Sequence, residues 1–509
     1  MTEGKVEGLS KLASFLLLAG IFVAASCAII YELLIGSTSS YFLGDSVEQF
    51  SLTIGFFLFA MGIGSWLSRL VQEELLIRFI ALEIWLGLIG GSSIAILYMA
   101  YAYTDSYRYW MLVLVLVIGT LIGLEVPILT RILRQYGSLR TTLANVLSLD
   151  YLGSLVAALL FPYLLLPVLG SLHTAVLSGL VNVAVGGAML LVFRSHLGRL
   201  RLLWMQFGLI SLFLLALAFN AESLLGRWES ALYNDRIVVS EQSAYQKIVL
   251  TKWRNDLRLF LNGHLQFAAV DEYRYHEALV HPAMALARNR ERILIVGGGD
   301  GLTAREVLKY GDVEWVDLVD LDSTMTNLAR RNVYLTQLNK NSLNTRKVHI
   351  SNEDGFIFLQ RQHEQYGTII VDLPDPREEA LAKLYSVEAY RLFRRHLAPG
   401  GVLATQATSP YYTRQAYWCI GESLEAAGFK VWSYHTHVPS FGEWGFHLAS
   451  ERPLQVEQVE FSAARRFLQE DLFRTLFFFD SDMDRVPVDE NRLDKAVLAR
   501  YYREGRSQW

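Results

Sequence analysis

Carboxylates close four successive apolar runs in the second half of this chain. They are Asp300 inside Gly297-Gly298-Gly299-Asp300-Gly301, Asp320 with Asp322, Asp354 beside Gly355, and Asp372 with Asp375. In an open α/β sheet ligands bind outside the carboxyl ends of the strands, so these acids should converge on one crevice. Gly297 and Gly299 let the backbone come close to a ligand where a helix begins, but Asp300 would repel a pyrophosphate there. A cationic adenosyl sulfonium, S-adenosylmethionine or its decarboxylated form, suits the turn better than NAD. The separation of about 20 residues between Asp300 and Asp320 is that of a ribose-binding carboxylate. Any one of these acids also reads as a turn or cap residue, and Asp322 is expected to be a helix cap.

The elements that must position them are short. Residues 292–296, 313–319, 347–350 and 368–371 are apolar strands separated by helical segments, which predicts a mostly parallel, doubly wound, Rossmann-like sheet. Ahead of it, residues 246–253 and 257–262 alternate apolar and polar around Asn255 and Asp256, a β-hairpin signal for a small β subdomain. Before Asn220 the chain is of another kind: about seven stretches are long and apolar enough to cross a bilayer, at residues 12–34, 50–70, 77–101, 109–129, 149–169, 173–193 and 202–219. The first has no charged leader and no small-residue cleavage site, so it is expected to stay as a helix. The expected organisation is an all-α polytopic membrane domain over 1–220, a linker with the small β subdomain over 221–270, and an α/β catalytic domain with a C-terminal helical extension over 271–509. A net charge of −4 without a basic block gives no reason to expect nucleic acid, and Cys27 and Cys419 support neither a disulfide framework nor a zinc site.

Glu32, Glu83, Glu125 and Asp150 fall within or at the edges of the apolar stretches, where a charge is expensive without a partner. Two readings stand: pairing with Arg131 or interfacial water, and a path or binding site for the cationic substrate that the family resemblance described next implies, a polyamine. Arg131, Arg134, Arg140, Arg194, Arg199 and Arg201 share a side with Lys5 and Lys11, opposite Asp45 and Glu48, which places the N-terminus in the cytosol. Seven crossings would then put the catalytic domain outside, whereas its substrates favour a cytoplasmic site.

The second half resembles the spermidine synthase family, the polyamine aminopropyltransferases. The resemblance rests on Tyr245-Gln246, Asp271-Glu272-Tyr273-Arg274-Tyr275-His276-Glu277 with His281-Pro282, the glycine turn with Arg305-Glu306-Val307-Leu308, and Asp372-Leu373-Pro374-Asp375-Pro376. Leu384-Tyr385, Pro399-Gly400-Gly401, Gln406 and Pro439-Ser440-Phe441 continue it. The first half looks like the bacterial subset with an N-terminal multispan domain, through Tyr31-Glu32-Leu33-Leu34, Gly123-Leu124-Glu125-Val126-Pro127 and Leu149-Asp150-Tyr151-Leu152-Gly153.

The resemblance implies transfer of the aminopropyl group of decarboxylated S-adenosylmethionine to putrescine, spermidine or a related amine in a bacterial cell membrane, with release of methylthioadenosine. It implies Asp372 as catalytic base; Asp375, His276, Tyr275 and Gln406 around the polyamine; and Asp300 on the amine of the aminopropyl chain. Gln246, Gly297, Gly299, Asp320, Asp354 and Gly355 would hold the adenosyl group. No metal is expected, because a sulfonium is already a good leaving group. The oligomeric state is open, although soluble relatives commonly form dimers or tetramers.

Three departures bear on the acceptor: the loop after Pro376 reads Arg377-Glu378-Glu379-Ala380-Leu381-Ala382-Lys383 instead of a Gly-Pro-Ala run, Asp320 replaces a glutamate, and Phe441 stands where an aromatic hydroxyl is frequent. Another S-adenosylmethionine-dependent enzyme, such as a methyltransferase, and a polyamine transporter or sensor with a binding-only second half are the alternatives.

Overall fold

The computed structural model describes residues 11–44, 46–134, 139–194, 200–233 and 235–506. Lys5, Asp45 and Arg199 of the charge-bias argument lie outside the described residues. The chain divides into two compact units, Met1–Asn234 and Asp235–Trp509.

The first unit is helical: α1 Lys11–Leu43, α2 Ser46–Leu67, α3 Leu75–Tyr103, α4 Tyr107–Arg134, α5 Leu139–Leu160, α6 Leu166–Val192 and α7 Leu200–Leu232. Among the described residues six helical runs, against the seven expected, are long and apolar enough to cross a bilayer. The difference lies in one run of 53 residues, Arg140–Val192, in which a π turn at Phe161–Leu165 joins α5 to α6. At Gly170 that run leaves helical geometry, with φ 72° and ψ 175°, a conformation glycine adopts at little cost. Helix α7 continues past the apolar residues to Leu232, so the unit ends later than the composition shift at Asn220.

Small residues let these helices approach closely. A Cβ on Gly87 of α3 would lie 2.6 Å from the carbonyl oxygen of Gly179 on α6, so the two backbones touch there. Arg131 is not the partner of the buried acids. Its Nη1 donates to the Val71 carbonyl (2.6 Å) and its Nη2 to the Ser68 carbonyl (2.8 Å), satisfying orphan acceptors after α2.

The second unit starts with four antiparallel strands in sequential order, β1 Arg236–Gln242, β2 Lys247–Trp253, β3 Asp256–Leu261 and β4 His264–Ala268. Trp253 pairs with Asp256 across the turn expected at Asn255. Next come α8 Glu272–Leu286, β5 Arg292–Gly297, α9 Leu302–Val307, β6 Trp315–Val319, α10 Ser323–Arg331, α11 Val333–Leu338, β7 Val348–Ser351, α12 Gly355–Arg361, β8 Tyr366–Asp372, α13 Glu379–Ala382, α14 Val387–His396, β9 Leu397–Gln406, α15 Arg414–Ala426, β10 Lys430–Val438, β11 Gly442–Ser450, α16 Glu470–Thr475 and α17 Leu498–Arg506. The sheet order is β10-β11-β9-β8-β5-β6-β7. Strands β5 to β9 are parallel, and β11 and β10 complete the edge through antiparallel pairings.

The four expected strands are β5 to β8; β9 to β11 are additional. Half-buried β10 mixes polar and apolar residues, and β11 carries Gly442 and Gly445, so neither shows the continuous apolar run of a central strand. Period-two alternation splits the core between the two faces: Ile293 and Ile295 pack with Leu279 and Ala283 of α8, while Leu294 and Val296 pack with Tyr390 and Phe393 of α14. Pro282 inside α8 cannot donate to the Ala278 carbonyl, and the Tyr434 hydroxyl takes that place at 2.8 Å.

Candidate active site

The strand order reverses between β5 and β8, which is where a doubly wound sheet opens a crevice. Gly297, ending β5, has φ 84° and approaches Asp372 so closely that a Cβ would collide with its carbonyl oxygen. The Gly298 N–H donates to that same carbonyl at 2.9 Å, fastening the glycine turn to the end of β8. Gly299 donates its N–H to Asp320 Oδ2 (3.1 Å), and the Asp322 N–H reaches Asp320 Oδ1 (2.8 Å). Asp320, ending β6, is thus oriented by backbone donors with lone pairs still free for two hydroxyls. Burial lifts its carboxyl to about 6, and the Asp322 charge adds to the rise.

Asp372 has both oxygens engaged. The Tyr275 hydroxyl of α8 donates to Oδ1 at 2.7 Å, and Thr303 Oγ1 of α9 donates to Oδ2 at 2.5 Å. Burial and the Asp372 charge push the Tyr275 phenol well above its ordinary range, which keeps the donor protonated. Each Asp372 oxygen retains a second lone pair for an incoming N–H. Asp300 is part-buried; it accepts the Leu302 N–H at 2.8 Å, and desolvation lifts it to about 6 despite the opposing pull of His276.

His276 does not stand alone. Its Nδ1 lies 2.8 Å from Glu272 Oε2, and Arg305 holds that carboxylate with a two-pronged grip, Nη1 to Oε1 and Nη2 to Oε2, both 2.8 Å. Burial would lower the imidazole, but the Glu272 hydrogen bond and charge raise it to about 9, with Asp300 and Asp372 adding. The ring therefore carries a proton at neutral pH, within electrostatic reach of the two site acids.

Asp375 accepts the Tyr502 hydroxyl of α17 at 2.8 Å and lies 3.5 Å from Arg377 Nη2, both on Oδ2, while its buried Oδ1 has no partner. Asp354 caps α12 through the Phe356 and Ile357 N–H groups and accepts Lys383 Nζ at 2.6 Å. Burial would raise its carboxyl; Lys383 and the cap hold it below the usual range. Gln246 donates to Asp322 Oδ2 (2.9 Å), and Asp322 caps α10 through the Thr324 N–H. Gln406 is fully committed inside the protein: Nε2 donates to the Leu373 carbonyl (2.7 Å) and the Tyr385 hydroxyl (2.6 Å), and Oε1 accepts the Thr408 N–H (2.9 Å). It braces the Asp372-to-Pro374 turn. Phe441 packs near Tyr275 and Trp444, with ring centroids 6.4 and 5.0 Å away.

The structure thus brings Asp372, Tyr275, Asp300, His276, Asp320, Gly297 and Gly299 into one connected set, with Asp375, three residues beyond Asp372, tied to the C-terminal helix. The sequence reading missed Thr303 and Tyr502, and it gave Glu272 and Arg305 no role. Glu272 and Arg305 lay inside quoted motifs; Tyr502 is 127 positions from Asp375 and leaves no local signal.

A mostly parallel sheet with a glycine turn after its first strand and a carboxylate ending the second is a Rossmann-like nucleoside-binding fold, and its wall of acids makes the pocket one for cations. Residues 272–462 match the family described as Spermine/spermidine synthase domain. A polyamine aminopropyltransferase of Leptospira interrogans is 43% identical over 485 residues, covering 95% of this chain and 97% of that protein. Polyamine aminopropyltransferase 2 of Ralstonia nicotianae is 45% identical over 499 residues, 96% of this chain and 98% of that one. A solved spermidine synthase in complex with the transition state analogue AdoDATO aligns over 48% of this chain and 86% of its own, with 25% identity and a TM-score of 0.45. The chain belongs to the polyamine aminopropyltransferase family and is a transferase.

Proposed function

We propose that the second unit transfers the aminopropyl group of decarboxylated S-adenosylmethionine to putrescine or a related amine. The observation that carries this reading is Asp372, oriented on both oxygens by Tyr275 and Thr303 and within electrostatic reach of the part-buried Asp300. The amine nitrogen attacks the methylene next to the sulfonium; the C–N bond forms, the C–S bond breaks with its electron pair left on sulfur, and methylthioadenosine departs. Asp372 takes the proton lost by the amine, and the remaining acids hold the two cations at attacking distance.

Asp320 has lone pairs for both ribose hydroxyls, and the glycines at 297 and 299 leave room for the nucleoside. Asp354 would take the adenine amino group, with Gly355 beside it and Gln246 contacting the adenosyl group, once Lys383 yields. The orphaned Asp375 Oδ1 suits the distal ammonium of the acceptor. Asp300 takes the ammonium of the aminopropyl chain and disfavours intact S-adenosylmethionine, whose carboxylate would meet this acid in a partly dry cleft. His276 and Tyr275 position Asp300 and Asp372, and Gln406 acts through the turn it braces.

We also read the first unit as a multispan membrane domain with seven crossings. Gly153 of α5 packs on Phe22 of α1, while Met189 of α6 packs on Gly20, so α5 and α6 run past the same level of α1 and the chain reverses near Gly170. A cytoplasmic active site fits the substrate supply, and with seven crossings it sets the N-terminus outside, against the arginine bias of the loops.

Mass spectrometry of purified protein with decarboxylated S-adenosylmethionine and a panel of amines tests the transferase reading. Methylthioadenosine and an aminopropylated amine, both lost in Asp372→Asn, are expected; consumption of intact S-adenosylmethionine alone would transfer the assignment to a methyltransferase.

A further inference from the structure

Among the described residues of the first unit, six buried side chains carry polar atoms without a partner, Gln49 and Thr53 of α2 and four on α1, α3, α4 and α6. Glu83 of α3 is 0% exposed, with neither carboxylate oxygen hydrogen-bonded, and Glu125 of α4 is 3% exposed, with Oε1 unpartnered. Tyr31 of α1 and Asn182 of α6 are both 0% exposed, and the phenol oxygen of the one and both amide atoms of the other lack partners.

These four belong to one place. Glu83 and Glu125 are within electrostatic reach of each other and of the Tyr31 phenol. Asn182 lies between Gly179 and Gly186 on the face of α6 that meets α3: a Cβ on Gly186 would lie 3.6 Å from Glu83 Cβ. The Tyr31 ring covers Gly90, two turns along α3 from Glu83. Cys27, one turn before Tyr31, donates from Sγ to the Ser178 carbonyl at 3.6 Å and fixes α1 against α6.

A buried polar group without a hydrogen-bond partner is destabilising, and a carboxylate most of all, so four of them together imply something that completes them. Arg131, the cation the sequence offers, is spent on the Ser68 and Val71 carbonyls. Among the described residues no group of three or more His, Cys, Asp or Glu could hold a metal ion. Two carboxylates, an amide oxygen and a phenol surround an ammonium with acceptors, and the apolar helices around them suit the methylenes of an aliphatic chain.

We propose that Glu83, Glu125, Asn182 and Tyr31 form a second binding site, between α1, α3, α4 and α6, for a protonated aliphatic di- or polyamine. The choice of an aliphatic amine over another organic cation rests on the aminopropyl transfer reading. Asp150, part-exposed on α5, is within electrostatic reach of Glu125. The site gives the first unit a task on the same class of molecule that the second unit modifies.

The test is photolabelling of the full-length protein in lipid nanodiscs with spermidine bearing an alkyl diazirine, mapped by peptide mass spectrometry. Adducts on α1, α3, α4 or α6 are expected, reduced at least fivefold by excess spermidine and by the Glu83→Gln/Glu125→Gln variant. Adducts confined to the second unit overturn the proposal, as does competition by sodium chloride equal to that by spermidine. The wild-type map decides even if the double variant does not fold. Turnover assayed in the same nanodiscs separates the two readings: methylthioadenosine without first-unit adducts removes this site alone, and first-unit adducts without methylthioadenosine remove the transferase reading alone.

Discussion

Replacing Arg377 by alanine should tighten binding of the acceptor amine. Arg377 lies 3.5 Å from Asp375 Oδ2, with side chains 23% and 9% exposed, so a resident cation already sits on the acid proposed for the acceptor's distal ammonium. An ammonium arriving at the free Oδ1 would sit about 6 Å from the guanidinium; at an effective dielectric near 40, between the surface-pair and bulk values, their repulsion is about 1.4 kcal/mol, or about tenfold in affinity. Arg377→Ala is therefore expected to lower the acceptor KM about three- to tenfold with kcat little changed, and Arg377→Lys to stay near wild type. Steady-state kinetics at saturating decarboxylated S-adenosylmethionine reads this, and the gap should shrink as added salt screens the charges. An acceptor KM that is unchanged or raised in Arg377→Ala would refute the reasoning, because the arginine would then help to bind substrate instead of competing with it.

Further outcomes follow from the same geometry. Tyr275→Phe removes one of two donors that orient Asp372 and should lower kcat about ten- to a hundredfold with a smaller change in KM, while the Asp372→Asn loss should reach about 10²–10⁴. Asp300, lifted to about 6 by burial, must be ionised to hold the aminopropyl ammonium, so calorimetric affinity for decarboxylated S-adenosylmethionine should be full above pH 6 and fall about tenfold per unit below it; Asp300→Asn should flatten that slope. His276 is raised from 6.5 to about 9, so the stability it contributes is fully present below about 6.5 and lost as pH climbs through 9, about 3 kcal/mol in all. In Glu272→Gln that loss between pH 6.5 and 9 should disappear from thermal unfolding profiles, and the variant should be less stable throughout, because Arg305 keeps Glu306 and the Leu338 carbonyl but loses the carboxylate it grips with two nitrogens.

The local sequence determined the chemistry and the types of element. Glycines at 297 to 299, apolar runs of strand length and acids just beyond them are short-range features, so the sheet, its crevice and Asp300, Asp320 and Asp372 could all be read from the chain. The apolar stretches of the first unit were legible for the same reason, since length and hydropathy are local.

What could not be read depended on partners far apart in sequence. Thr303 and Tyr275 meet Asp372 from 69 and 97 positions away, and Arg305 reaches Glu272 across 33. Gln406 faces inward to brace a turn because the ends of β8 and β9 are neighbours, and Tyr502 finds Asp375 only once α17 has folded back. Arg131 was drawn away from the buried acids by carbonyls left open after α2, a competition that exists only in the packed bundle. A residue's type fixes what it can do; which partner it does it with is decided by tertiary packing, where burial makes each unsatisfied group costly.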